Sequence, residues 1–227
     1  MRKLLIGVII LAALLLAADR ISVAVAENQI SDRLTSAYGL ADKPGVTITG
    51  FPFLTQVVTG NYRQIDVSAS QVPADGAVLH QLHVRLTGVH ASVGQVLGNG
   101  SSMVTADRAA GSAMVGFSTV DHRLPDGFRL HPDGNNLNVS GMLAIGGARI
   151  PVSATVAVGA SGSGISVTPT HVSVPGVVAL PSSASSQLHV VVPLSTLPLH
   201  LRLTSVQVTP DGLRIGAAAR HVQFARS

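Results

Sequence analysis

Histidine is the residue type of this 227-residue sequence that is best suited to chemistry at neutral pH, because imidazole both binds metals and transfers protons. The closest two of the nine histidines are His80 and His83, and positions three apart on a β-strand face opposite sides of the sheet. The sequence contains no cysteine and few carboxylates that could complete a coordination shell. We therefore expect no metal site and no cofactor.

A hydrolase would need an activated serine or a pair of carboxylates. Ser161 and Ser163 lie in a glycine-rich stretch that does not complete the GxSxG motif. A glycosidase places two carboxylates beside its sugar, but Glu27 is the only glutamate, and four aspartates stand in Asp-Gly pairs that are typical of tight turns. We therefore predict no catalytic residues and a protein that is not an enzyme.

The composition favours a ligand with acyl chains. Hydrophobic residues make up 46% of the sequence but aromatic residues only 3%, and there is no tryptophan. Sites for single-stranded nucleic acids stack bases on aromatic rings, and no run of basic residues in this sequence would follow a phosphate backbone. Aliphatic side chains suffice to bury acyl chains, at about 0.8 kcal/mol per methylene. We therefore expect no nucleic-acid partner.

The N-terminus predicts export. A basic start is followed by 15 apolar residues from Leu4 to Ala18, which is typical of a signal peptide. About 20 apolar residues are needed to span a bilayer, so the leading interpretation is a signal peptide over residues 1–26, cleaved after Ala24-Val25-Ala26. The alternative is a retained membrane anchor that extends past Asp19. Both interpretations place the protein in the periplasm or at the outer face of the plasma membrane.

The remaining residues, 27–227, are predicted to form one β-rich domain. A helical pattern of apolar residues runs from Asp19 to Tyr38 and ends at Gly39. Strict alternation from Val78 to Leu86 predicts a strand with one buried face. We predict further strands at Val46–Thr49, Arg63–Ala69, Met103–Phe117, Leu137–Ile145, Arg149–Val158 and Leu213–Gln223, and turns at Asp75-Gly76, Asp126-Gly127, Asp133-Gly134, Gly146-Gly147 and Asp211-Gly212.

One string of residues occurs twice in the sequence. Leu199–Val206 matches Leu82–Val89 at six of eight positions. The domain therefore either contains two related halves or has two similar amphipathic strands by chance.

The segment from Gly50 to Gly60 is apolar but not strand-like. It places Phe51 and Phe53, two of only seven aromatic residues, on either side of a proline. One interpretation is an apolar plug that fills the core, and the other is a flexible rim at the entrance of a lipid cavity. On the second interpretation, the residues near the opening are Phe51, Phe53, Leu54, Val57 and Val58. Arg63 or Arg85 then either faces a phosphate or is a solvated strand residue.

This segment resembles the LmeA family of actinobacterial envelope proteins, which bind phospholipids. The resemblance rests on Gly50-Phe51-Pro52-Phe53-Leu54-Thr55-Gln56-Val57, together with Asp19-Arg20, Ala26-Glu27, Gly60-Asn61-Tyr62 and Asp211-Gly212-Leu213. It implies an α+β, β-rich fold in which a long curved antiparallel sheet is wrapped with the N-terminal helix into an elongated lipid-binding tube. Such a fold is similar to the tubular lipid-binding proteins of the bactericidal/permeability-increasing type.

The function that the resemblance implies is to hold or transfer a phospholipid in an apolar cavity within the cell envelope, and to support synthesis of mannose-containing lipoglycans. The expected partners are a phospholipid, the membrane surface and an envelope biosynthetic enzyme. Two alternatives stay open: an envelope scaffold or chaperone that docks a membrane enzyme through its apolar patch, and a hydrolase of envelope glycolipids.

Overall fold

A computed structural model describes residues 2–74, 77–91, 104–118, 128–145, 148–161, 164–173, 190–193 and 202–224. This part of the chain is β-rich with a long N-terminal helix, so the predicted α+β class is confirmed. Its helices are α1 (Arg2–Tyr38) and α2 (Phe53–Thr59). Its strands are β1 (Gly45–Thr49), β2 (Asn61–Ala74), β3 (Ala77–His90), β4 (Val104–Gly116), β5 (Arg129–Asp133), β6 (Asn136–Ile145), β7 (Ala148–Ser161), β8 (Gly164–Ser173), β9 (Val190–Pro193), β10 (Arg202–Thr209) and β11 (Gly212–Phe224).

Helix α1 is continuous over 37 residues, because its leucine- and alanine-rich sequence contains no proline. The predicted end at Gly39 is confirmed. This glycine has a φ of +59°, and the N–H of Leu40 donates to the carbonyl oxygen of Thr35 at 3.0 Å. The helix begins at Arg2 rather than at Asp19, so the apolar run and the predicted helix form one element. By length and composition, α1 could cross a membrane.

The first sheet has the strand order β1-β2-β3-β4-β11-β10. β1 pairs antiparallel with β2. Gly45 lies opposite Ser68 at one end of the pairing, and Thr49 lies opposite Gln64 at the other. On β3 the predicted alternation holds from His80 to Leu86, but the inner side chains are half-buried rather than buried, and Val78 is exposed. Gln81 has a φ of +51°, which is uncommon for a residue other than glycine.

The second sheet has the order β5-β6-β7-β8-β9, and each neighbouring pair is antiparallel. β6 and β7 pair without interruption, from Leu137 opposite Val156 to Ile145 opposite Ala148. The register between β7 and β8 shifts between Thr155 and Val156, opposite Pro169, which has no N–H to donate.

Two of the predicted tight turns lie in the described part of the chain. The pairing of β5 with β6 ends where Asp133 lies opposite Asn136, and Gly134 between them has a φ of +59°. The pairing of β10 with β11 ends where Thr209 lies opposite Gly212. Both hairpins confirm the predicted Asp-Gly turns, since these residues tolerate the backbone conformations that tight turns require. The turns predicted at Asp75-Gly76, Asp126-Gly127 and Gly146-Gly147 lie outside the described residues, as do Met103 and residues 199–201 of the repeated string.

The chain divides into two compact units, each with its own core. Unit 1 comprises residues 1–70, 83–109 and 220–227, and unit 2 comprises residues 71–82 and 110–219. The core of unit 1 consists of Ile48, Phe53, Tyr62, Val89, Ala91 and Ala106, with Val23, Ala26 and Ile30 of α1 packed against it. The core of unit 2 is formed by Leu130, Leu137, Val156 and Leu213.

Replacing Gly212 with alanine is expected to destabilise unit 2. A Cβ at this position would overlap the carbonyl oxygen of Val115, and the backbone of β4 must then shift. We expect Gly212→Ala to lower the free energy of unfolding by about 2–3 kcal/mol, measured by urea denaturation. Gly134→Ala is the control, because its Cβ would meet nothing within 4 Å and only its positive φ costs about 1–2 kcal/mol. A larger loss for Gly134→Ala would contradict this account.

Candidate functional site

The segment from Gly50 to Gly60 forms a turn followed by α2, within unit 1. The Phe51–Pro52 peptide bond is cis, α2 begins at Phe53, and Gly60 ends it with a φ of +69°. Pro52, the residue at the N-cap, makes no side-chain hydrogen bond to the helix. The N–H groups in the first turn of α2 must therefore find acceptors elsewhere in the chain.

Asp19 of α1 supplies one of those acceptors. Its Oδ1 accepts a hydrogen bond from the N–H of Leu54 at 2.9 Å, and the residue is only 3% exposed. A carboxylate at a helix N-terminus is favourable because it complements the unpaired N–H groups. Its Oδ2 accepts no hydrogen bond from the described residues. One buried side chain therefore joins α1 to α2.

Gln56 joins α2 to the start of β2. Its Oε1 accepts a hydrogen bond from the N–H of Arg63 at 2.9 Å. Its amide packs directly on Gly50, where a Cβ would lie 2.6 Å from Nε2. Because Gly50 also has a φ of +131°, its backbone conformation favours glycine, and a larger residue would displace the amide of Gln56. The first glycine and the last glutamine of the Gly-Phe-Pro-Phe-Leu-Thr-Gln motif are thus in contact.

Two further hydrogen bonds attach α1 to β1 and to the residue before it. Oε1 of Glu27 accepts the N–H of Ile48 at 2.7 Å, and the hydroxyl of Ser31 donates to the carbonyl oxygen of Pro44. An unpaired buried backbone group costs free energy, so these bonds favour one position of α1 along the strand. The helix is held against the rest of unit 1 from residue 19 to residue 31.

Two of the five apolar candidate residues lie inward. Phe53 is 4% exposed and packs against Tyr62, with ring centroids 6.3 Å apart. Val57 is half-buried against the same core. These positions agree with the interpretation of the segment as an apolar plug.

The other three apolar candidates face outward. Phe51 is 54% exposed, Leu54 38% and Val58 86%. The guanidinium carbon of Arg20 lies 5.3 Å from the ring centroid of Phe51, which is within the range of a cation–π contact. The segment therefore presents an outward apolar set, Phe51, Leu54 and Val58, on a buried support.

A cleft of about 340 Å³ lies beside α2 in unit 1. Of the candidate residues, Phe51 and Arg63 line this cleft, whereas Phe53, Leu54, Val57, Val58 and Arg85 do not. The complete lining is Gly50, Phe51, Gln56, Asn61, Tyr62, Arg63, Gly88, Val89 and His90. Sequence reasoning missed His90 as a site residue, because it comes from the end of β3 and no spacing pattern connects it with the segment at residues 50–63.

The polar side chains that line the cleft are those of Gln56, Asn61, Tyr62, Arg63 and His90. Nδ1 of His90 lies 2.5 Å from Oδ1 of Asn61, and its Nε2 lies 3.6 Å from Oδ1 of Asp107. Burial raises the pKa of Tyr62, so its phenol stays protonated at neutral pH. Among the described residues that line the cleft, none is a serine, threonine or carboxylate.

The two candidate arginines have different surroundings. Nε of Arg85 donates to Oδ1 of Asp66 at 2.6 Å, and Gln64 donates to Oδ2 of the same carboxylate. Partial burial raises the pKa of Asp66, but the two hydrogen bonds and the charge of Arg85 outweigh it and hold this pKa below its ordinary value. Arg63 lines the cleft and has no carboxylate partner within the described ranges.

Removing the carboxylate of Asp19 is expected to loosen α2. We expect Asp19→Ala to destabilise the full chain in detergent micelles by about 0.5–2 kcal/mol and to accelerate amide hydrogen exchange over residues 53–59. Asp19→Asn should lose less, because its side chain retains an acceptor oxygen.

Asp32→Ala is the matched control for this experiment. Asp32 lies on the same helix, but its carboxylate pairs with Lys43 at the surface, and exposed pairs contribute about 0–1 kcal/mol. If exchange in α2 rises equally in the Asp19 and Asp32 variants, the bond to Leu54 does not hold α2 in place.

Comparisons with known proteins agree with the resemblance seen in the sequence. The model of a family described as LmeA-like phospholipid-binding matches residues 17–218, which is most of the chain. No curated protein and no solved structure gives a significant match. The resemblance is confirmed, and the chain belongs to the LmeA-like phospholipid-binding family.

Proposed function

We propose that this chain binds a phospholipid without catalysing a reaction, and that the cleft of unit 1 receives the phosphorylated head group. The observation that carries the proposal is Arg63, which lines the cleft beside Phe51 and lacks a carboxylate partner in the described part of the chain. A guanidinium without a counter-ion, next to an apolar ring, suits a ligand that joins a phosphate to acyl chains.

The remaining lining residues fit the same ligand. Arginine presents its N–H donors in a planar fork that matches phosphate oxygens, and the amide side chains of Gln56 and Asn61 line the same cleft. Phe51 and Val89 provide apolar surface for the first methylenes of the acyl chains. The volume lies near the lower end of the range of about 300–1,000 Å³ for ligand pockets, so the cleft suits a head group better than a whole lipid.

The proposed setting is the cell envelope. Export is supported by the apolar first part of α1, and the family match supports the lipid ligand. The other parts of the proposal rest on the family resemblance: a tubular cavity for the acyl chains, transfer of the lipid, contact with the membrane surface, and support of an envelope enzyme in lipoglycan synthesis.

Arg63→Gln tests the proposed head-group site. Loss of a hydrogen bond to a charged group costs about 1.5–3 kcal/mol, so we expect affinity for a water-soluble, short-chain phosphatidylglycerol to fall by at least about tenfold. Binding is measured by titration calorimetry on the full chain in a detergent that contains no phosphate.

Two controls make this experiment specific. Arg85→Gln removes an arginine that is paired with Asp66. Neither residue lines the cleft, so affinity should change less than about twofold. A short-chain diacylglycerol, which lacks the phosphate, should bind the unmodified chain weakly and be insensitive to Arg63→Gln. Equal losses in both arginine variants, or equal binding of the two ligands, would count against this site.

A further inference from the structure

The proposed head-group site leaves two features of unit 1 without a role. The first is the apolar start of α1, where the large side chains from Leu4 to Leu16 are exposed. The second is the outward apolar set of Phe51, Leu54 and Val58, of which the head-group cleft uses only Phe51. Exposed apolar side chains that cluster are unfavourable in water and mark a surface that binds something.

The residues that follow the apolar run are structural parts of unit 1. Asp19 is buried and bonded to Leu54, and Val23 and Ala26 pack against the core. Cleavage after Ala26 would remove all three, leaving the first turn of α2 without this acceptor and uncovering part of the core. The family match begins at residue 17 and therefore includes them. A segment that supplies native contacts is not expected to be discarded on export.

The bonds between α1 and unit 1 determine which end of the unit lies next to the apolar run. Ser31 bonds to Pro44, Glu27 to Ile48 and Asp19 to Leu54. Moving toward the N-terminus of α1 therefore means moving from Pro44 to Leu54. Asp19 and Ser31 are twelve residues apart, which is about 18 Å along a helix. The segment with the outward apolar set lies at the end beside Ala18, and Pro44 lies at the far end.

The length of the apolar run brings that end close to a bilayer. The 15 residues from Leu4 to Ala18 extend about 23 Å as a helix, whereas a hydrocarbon core is about 30 Å thick. A span shorter than the core thins the bilayer and draws the flanking residues toward the hydrocarbon. On the outer side, those flanking residues are Asp19, which is buried in unit 1, and Arg20, which stacks on Phe51.

The outward set has the chemistry of a membrane-surface contact. Leu54 and Val58 are four residues apart and share one face of α2. Arg20 adds a positive charge beside Phe51, and such a charge is attracted to the phosphates of anionic lipids. We propose that α1 is retained as a membrane anchor after export, and that Phe51, Leu54 and Val58 rest in the interfacial layer of the same bilayer. This surface is separate from the head-group cleft except for Phe51, which borders both.

The first test is the N-terminus of the exported protein. The full chain is expressed in a bacterial host, recovered from the membrane fraction and measured by intact mass spectrometry, with a normally processed secreted protein of the same cells as a control for peptidase activity. We expect a chain that keeps residues 1–26. A mature chain that begins at Glu27, or at any other residue after the apolar run, overturns the proposal.

The second test measures the depth of α2, and it is simple because the sequence contains no cysteine. Val58→Cys and Asp42→Cys are each labelled with a nitroxide in the full chain, reconstituted in nanodiscs of phosphatidylcholine and phosphatidylglycerol. Both positions are exposed, but Asp42 lies beyond Pro44, at the far end of the contact with α1.

We expect the label at residue 58 to be more accessible to oxygen, and less accessible to a water-soluble nickel chelate, than the label at residue 42. The ratio of the two accessibilities should be several-fold higher at residue 58. Equal ratios at both positions would show that α2 stays in water. They would overturn the proposed contact of Phe51, Leu54 and Val58 with the bilayer even if α1 is retained. Head-group binding measured with Arg63→Gln is a separate readout, so failure of one proposal leaves the other testable.

Discussion

The hydrogen bond from Leu54 to the buried carboxylate of Asp19 is the interaction on which the arrangement of unit 1 depends. A buried carboxylate is unfavourable unless it is hydrogen-bonded, and a short helix without a cap leaves N–H groups unpaired. The bond between Oδ1 of Asp19 and the N–H of Leu54 pairs one buried acceptor with one unpaired donor. Because Asp19 is also the first polar residue after the apolar run of α1, this bond fixes the distance between that run and α2, and hence the position of the cleft lined by Phe51 and Arg63.

Local patterns in the sequence predicted the elements of the fold but not their pairing. The end of α1 at Gly39 and the hairpin at Asp133–Asn136 follow from preferences of single residues, and both were predicted correctly. The neighbours in the sheets did not follow, since β4 lies beside β11, a strand far away in the chain. The start of α1 was placed too late because a signal peptide and the beginning of a long helix share the same composition.

The Gly-Phe-Pro-Phe-Leu-Thr-Gln motif shows where sequence reasoning about the site ends. Its composition allowed either a core plug or an exposed rim, and a helix of seven residues is too short for periodicity to separate the inner from the outer face. The structure shows only which side chains are buried and which are exposed, with Phe53 inside and Leu54 outside. The ion pair of Arg85 could not be predicted from the sequence either, since its partner Asp66 lies 19 positions away on a neighbouring strand.

The motif has one buried phenylalanine, Phe53, and an exposed one, Phe51, and this arrangement has a physical consequence for lipid binding. Removing a phospholipid from a bilayer exposes acyl methylenes to water, at a cost of about 0.8 kcal/mol each, so the cost grows with the distance between the membrane and the binding site. Phe51 borders the cleft and also belongs to the proposed membrane surface. A head group could therefore reach Arg63 while most of its acyl chains stay in the bilayer. A buried Phe53, packed on Tyr62, gives the exposed residues beside it a fixed support, so that a binding site can be held at the membrane without unfolding the segment that carries it.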